Sequence, residues 1–147
     1  MLNIKLICVG KMKEKFYVDA YNEYAKRLSA YCRLELIEAA ESTLDKEAAA
    51  VIKYIDKNSY VIAMAIEGKK LSSTEFAGLI DRLAINGKSE IVFLIGGSEG
   101  MAPELKNRAD MLLSMSDMTF PHHLARVMLV EQIYRCFKIN EGSKYHK

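Results

Sequence analysis

Residues 60–66 and 91–95 are almost uninterrupted apolar runs, and a helix signal lies between them. A strand that is apolar on both faces must be covered on both faces, which parallel sheets achieve with crossover helices. That constraint selects an α/β fold with a mostly parallel sheet flanked by helices. The remaining pattern agrees with it. Residues 3–9 form a first strand closed by Gly10, and residues 15–31 form an amphipathic helix with Phe16, Ala20, Tyr24 and Leu28 on its stripe. Residues 33–39 alternate as a second strand, and the Ala-rich stretch 43–57 reads as a helix.

Ser72 and Glu75 make a capping box for the helix between the two apolar runs, and Asn86-Gly87 supplies its left-handed end. Pro103 suits the first turn of another helix. A last short strand covers 111–115, and Pro121 opens a helix to about Asn140. Five strands and five helices in one domain, 1–147, are expected, with no internal repeat or linker.

Composition excludes several classes. With 147 residues, half of them apolar, the chain can bury roughly 70% of its unfolded surface. No apolar stretch approaches the ~20 residues of a membrane span, so no membrane partner is expected. The short run after Met1 lacks a basic leader and reads as a strand rather than a signal peptide. Three widely spaced cysteines, Cys8, Cys32 and Cys136, suit core thiols in a reducing, cytoplasmic setting better than a disulfide framework or a zinc site. Net charge is only +2, which gives no global nucleic-acid signature. The first third, however, concentrates Lys11, Lys13, Lys15, Lys26, Arg27 and Arg33, a set able to touch phosphates or simply to line a solvated helix face.

Two loops carry the chemistry. The strand at 91–95 opens directly into Gly96-Gly97-Ser98-Glu99-Gly100, which leaves bare backbone at the carboxyl edge of the sheet, where α/β proteins bind ligands. A second loop, Met115-Ser116-Asp117-Met118-Thr119-Phe120, precedes Pro121 and the final helix. The glycine spacing does not match the dinucleotide fingerprint G-x-G-x-x-G, and no Walker lysine follows. Apolar walls with exposed backbone groups suit a purine and an amino-acid moiety better than a pyrophosphate. His122 and His123 diverge on a helix and cannot share a metal, and no acidic partner stands at ligand spacing, so no metal is expected. His122 sits beside the second loop at the head of a helix whose dipole favours neutral imidazole.

The segments Phe93 to Gly100, Ser114 to His122, Arg126 to Arg135 and Tyr145-His146-Lys147, together with Ile7 to Lys15, resemble the bacterial ribosomal RNA large subunit methyltransferase H family of the SPOUT class. The resemblance implies a SPOUT-type fold with a C-terminal trefoil knot and a homodimer. It implies transfer of a methyl group from S-adenosyl-L-methionine to N3 of pseudouridine 1915, in helix 69 of 23S rRNA on the assembled 70S ribosome.

Carried onto this chain, the cofactor residues are Met64, Gly96, Met115, Ser116, Asp117, Met118, Thr119 and Phe120, with Asp117 contacting through its backbone. His122 is the candidate base and His146 the runner-up, reaching in from a second subunit. Arg126, Arg135, Tyr145 and Lys147 are the expected RNA contacts. The last helix, through Val127, Leu129 or Val130, Ile133 and Phe137, is expected at the subunit contact. The chain is also shorter than typical members around residues 40–50. The residues alone leave two alternatives open: an NAD-type nucleotide-binding oxidoreductase module and a non-catalytic ribosome-binding protein.

Overall fold

The computed structural model describes residues 1–146. Five strands, β1 (Leu2–Val9), β2 (Cys32–Ala39), β3 (Tyr60–Lys70), β4 (Glu90–Ile95) and β5 (Met111–Ser114), form one sheet in the order β2-β1-β4-β3-β5. Every pairing is parallel. The helices are α1 (Lys15–Leu28), α2 (Leu44–Ile52), α3 (Ser73–Ile85), α4 (Pro103–Arg108) and α5 (His122–Asn140).

Side chains alternate across a strand, and here each alternate set has its own helix layer. Ile4, Leu6, Ile62, Ile91 and Phe93 point into a core shared with Tyr21 and Leu28 of α1, Phe76 and Ile80 of α3, and Leu129, Val130 and Ile133 of α5. Ile7, Val9, Val61, Ala63, Val92 and Leu94 point the other way, onto Ala48 and Val51 of α2 and Leu105 of α4. Burying each large aliphatic contributes roughly 1.5–3 kcal/mol, so the apolar runs are explained by two cores rather than one.

The local signals are mostly realised. Ser72 accepts the Glu75 N–H at 3.0 Å while the Glu75 carboxylate accepts the Ser72 N–H at 2.8 Å. Three expectations change. Helix α2 ends at Ile52, not at 57, because tight turns at Tyr54 and Ile55 fold Ile55 back onto the α2–α4 core. Phe16 leaves the α1 stripe and is 66% exposed, since the inward face runs through Tyr17, Tyr21 and Leu28. The apolar stripe of α5 is consumed inside its own chain: Leu129, Val130 and Ile133 are buried against the sheet and α3. Val127 and Phe137, the other two residues of that stripe, stay only partly buried against the same core.

Strand β3 also departs from expectation by running past residue 66. Met64 and Lys69 both pair with Leu113, so Ala65, Ile66, Glu67 and Gly68 loop out between them. Gly68 makes the return possible: a Cβ there would lie 2.6 Å from the Leu112 carbonyl carbon. The connections after β3 and β4 leave on opposite faces, through α3 and α4, and open a crevice at the carboxyl edge.

Candidate functional site

A cavity of about 290 Å³ occupies that crevice. Its apolar walls are Met64, Ile95, Leu113, Met115 and Phe120, and its bare backbone comes from Gly96, Gly97 and Gly100. Ser116, Met118, Thr119 and His122 complete one side. The structure thus brings Met64, Gly96, Met115, Ser116, Met118, Thr119 and Phe120 around one space. Asp117 is the exception, since its side chain faces away and pairs with Lys70 at 2.5 Å.

Each loop is held by its own hydrogen bonds. After β4 the chain turns back on itself: the Gly100 N–H donates to the Gly97 carbonyl at 3.0 Å, and Gly100 has φ +86°. A Cβ on Gly96 would stand 2.5 Å from the Gly100 oxygen, so this turn needs glycine there. In the second loop, the Ser114 hydroxyl donates to the Ser116 carbonyl and the Met118 N–H donates to the Ser116 hydroxyl, both at 3.0 Å.

The wall chemistry fits an adenosyl ligand. Apolar walls suit a purine base and a thioether, and uncovered peptide groups suit polar edges. The volume lies near the lower end for small-molecule pockets, which run from about 300 Å³ upward.

His122 lines the cavity at the head of α5. Burial, and then the neighbouring His123 ring, hold its imidazole below the ordinary value of 6.5. His123 stacks edge-on at 4.2 Å, and its Nδ1 lies 3.2 Å from the Glu14 carboxylate. His146 is elsewhere. Its Nδ1 lies 3.1 Å from Arg135, thirteen residues along α5 from His122, or about 20 Å at 1.5 Å per residue. One chain therefore does not unite the two histidines.

The RNA-facing candidates also divide. Arg135 lies 4.8 Å from the centre of the Tyr145 ring and bonds Glu131 at 3.0 Å, and Tyr145 packs edge-on against Tyr134. Lys147 lies outside the described residues. Arg126 is a correction: it is 1% exposed and donates to Glu38 at 2.5 Å and to the Gly10 carbonyl at 3.0 Å. Its guanidinium ties α5 to the ends of β1 and β2 and does not reach a phosphate.

Sequence reasoning missed Glu67 and Lys106, which line the cavity from the β3 loop-out and α4 and pair at 2.9 Å. Gly68 was the available signal, because a glycine inside an apolar strand marks a bulge. The cysteines are buried and free, and burial pushes the Cys8 and Cys136 thiols up to about 12 and that of Cys32 to about 11. Among the described residues, no three His, Cys, Asp or Glu side chains gather as metal ligands, and no helix is long and apolar enough to cross a membrane.

Residues 2–146 match the family described as "Predicted SPOUT methyltransferase". The chain is 48% identical to "Ribosomal RNA large subunit methyltransferase H" of Clostridium novyi, over 99% of this chain and 100% of that one. With the protein of the same name from Bifidobacterium adolescentis the identity is 47%, at the same coverage. These alignments span 159 positions, more than the 147 residues present here, so the relatives carry additional residues. A probable methylase family protein from Haemophilus influenzae Rd KW20 shares the fold, with a TM-score of 0.61 at 11% identity, covering 99% of this chain and 71% of that one.

Proposed function

The chain belongs to the SPOUT methyltransferase family, in its ribosomal RNA large subunit methyltransferase H group, and from that premise we propose that it methylates large-subunit rRNA. The finer reading is N3 of pseudouridine 1915 in 23S rRNA, on the assembled 70S ribosome in the cytoplasm, by a knotted, single-domain SPOUT chain acting as a homodimer. The observation that carries it is the joining of the Gly96 turn and residues 115–120 around one apolar cavity that ends on His122. Family membership favours this over the dinucleotide-binding and non-catalytic readings.

Met64, Gly96, Met115, Ser116, Met118, Thr119 and Phe120 would hold S-adenosylmethionine, with Asp117 contributing backbone alone. Bound there, that cofactor supplies a methyl group activated by its sulfonium. The chain's own task is then to align the nucleophile and remove its proton; alignment alone is worth about 7–11 kcal/mol in favourable systems. His122, kept neutral by burial, accepts the N3 proton of the target base. His146 and Tyr145 of a second copy approach the same mouth, because in one chain the tail lies too far along α5. Arg135 and Lys147 meet the RNA backbone, and Tyr145 stacks on an extruded nucleotide.

Labelled methyl transfer to 70S ribosomes, compared with free 23S rRNA and with ribosomes lacking the pseudouridine, tests the proposal. Incorporation confined to pseudouridylated 70S particles is expected; equal labelling of all three would refute the substrate reading. Sedimentation giving a monomer at micromolar concentration would refute the dimer.

A further inference from the structure

Glu67 and Lys106 are the two carboxylate- or ammonium-bearing side chains lining the cavity, and the sequence motifs account for neither. They approach from different elements, the β3 loop-out and α4, and meet at 2.9 Å. The Lys106 hydrogen bond, followed by a backbone bond at Glu67 itself, holds the Glu67 carboxyl below the usual range, so it is ionised at neutral pH. Both remain wet, at 53% and 32% side-chain exposure for Glu67 and Lys106. A pair this exposed contributes little to folding, about 0–1 kcal/mol, and opens at little cost.

From this geometry we infer that Glu67 and Lys106 form a zwitterion clamp for the amino-acid end of the cofactor. The inference rests on the adenosyl reading of the cavity. An α-amino acid carries one ammonium and one carboxylate two bonds apart, and a carboxylate beside an ammonium is its complement. The Glu67 carboxylate accepts from the ligand ammonium, and the Lys106 ammonium donates to the ligand carboxylate. The intramolecular pair holds both groups at the rim until the ligand exchanges partners with them. The four-residue loop-out that ends at Gly68 is what brings Glu67 there.

Calorimetry with three ligands separates this inference from the reading beneath it. S-adenosylhomocysteine carries both charges, its decarboxylated analogue carries only the ammonium, and methylthioadenosine carries neither. Glu67→Gln should weaken the first two by about tenfold and leave methylthioadenosine unchanged. Lys106→Met should weaken S-adenosylhomocysteine by a similar factor and leave the other two unchanged. If neither variant changes the affinity ratios among the three ligands, the clamp is refuted while the adenosyl site stands. If the wild-type protein binds none of the three, the adenosyl reading fails and the clamp fails with it.

Discussion

Replacing Glu38 should cost more stability than replacing Arg126, although each substitution removes the same ion pair. The asymmetry follows from where the two charges sit. Arg126 is 1% exposed, whereas the Glu38 side chain, on edge strand β2, keeps 27% exposure and also accepts the Met12 N–H at 2.9 Å. Glu38→Gln strands a cation that water cannot reach, the case that costs about 3–5 kcal/mol in buried pairs; partial exposure of the partner sets the expectation near about 3 kcal/mol. Arg126→Met strands a carboxylate that water can still reach, and loses the Gly10 hydrogen bond, for about 1–2 kcal/mol. The double variant should cost no more than Arg126→Met alone. At about 2–4 °C per kcal/mol for a chain of this size, Glu38→Gln should lower Tm by about 6–12 °C.

The pH dependence supplies a second readout of the same pair. Burial pushes the Glu38 carboxyl up, but bonds from Arg126 and Met12 outweigh it and hold the group below its ordinary value. A depressed folded pKa gives stability that is present above the unfolded value, about 4.3, and is lost as pH falls through the folded one. Arg126→Met should flatten that acid limb. Denaturant melts from pH 3 to 7 measure both effects. If Arg126→Met costs as much as Glu38→Gln, or the single costs add in the double variant, the burial argument is wrong.

Gly96→Ala should lower S-adenosylhomocysteine affinity at least tenfold in calorimetry, with about 1–3 kcal/mol of overpacking cost, because its Cβ meets the Gly100 carbonyl at 2.5 Å. Gly78→Ala meets only the flexible end of Arg82 at 3.2 Å and serves as the neutral control; wild-type affinity in Gly96→Ala would overturn the account of the turn. For His122, burial and His123 hold the imidazole below 6.5, so single-turnover methylation should stay level at neutral pH and decline only below that value as the base takes up a proton. The same acid decline in His122→Ala would remove it as the base.

What the sequence showed was set by short-range geometry. Period-two alternation in residues 91–95 sorts side chains to two faces wherever the strand lies in the sheet, and the box at Ser72 and Glu75 closes within one turn. The glycine turn and residues 115–120 were legible as loops because Gly96 and Pro121 interrupt regular patterns. The loop-out in β3 was hidden because it depends on Leu113 pairing twice, with Met64 and then Lys69. Glu67 and Lys106 were hidden for the same reason: they meet across 39 residues of sequence.

Arg126 shows why charged residues resist this reading most. On a helix that follows a cavity-lining loop, an arginine looks like a phosphate ligand until its partner 88 residues away is known. Long-range pairing decides which charges are already spent, Lys70 on Asp117 and Lys106 on Glu67, and local pairs along α5 spend Arg135 on Glu131 and Lys138 on Glu141. In the basic N-terminal third, Lys15 and Arg27 are likewise engaged, by Asp19 and Glu23. Lys11 and Lys13 make no ion pair among the described residues, and both are exposed just after β1, at the same carboxyl edge as the cavity. A near-neutral chain can thus present uncompensated positive charge where its cavity-lining loops converge, because attraction to a polyanion follows the local field and not the net count.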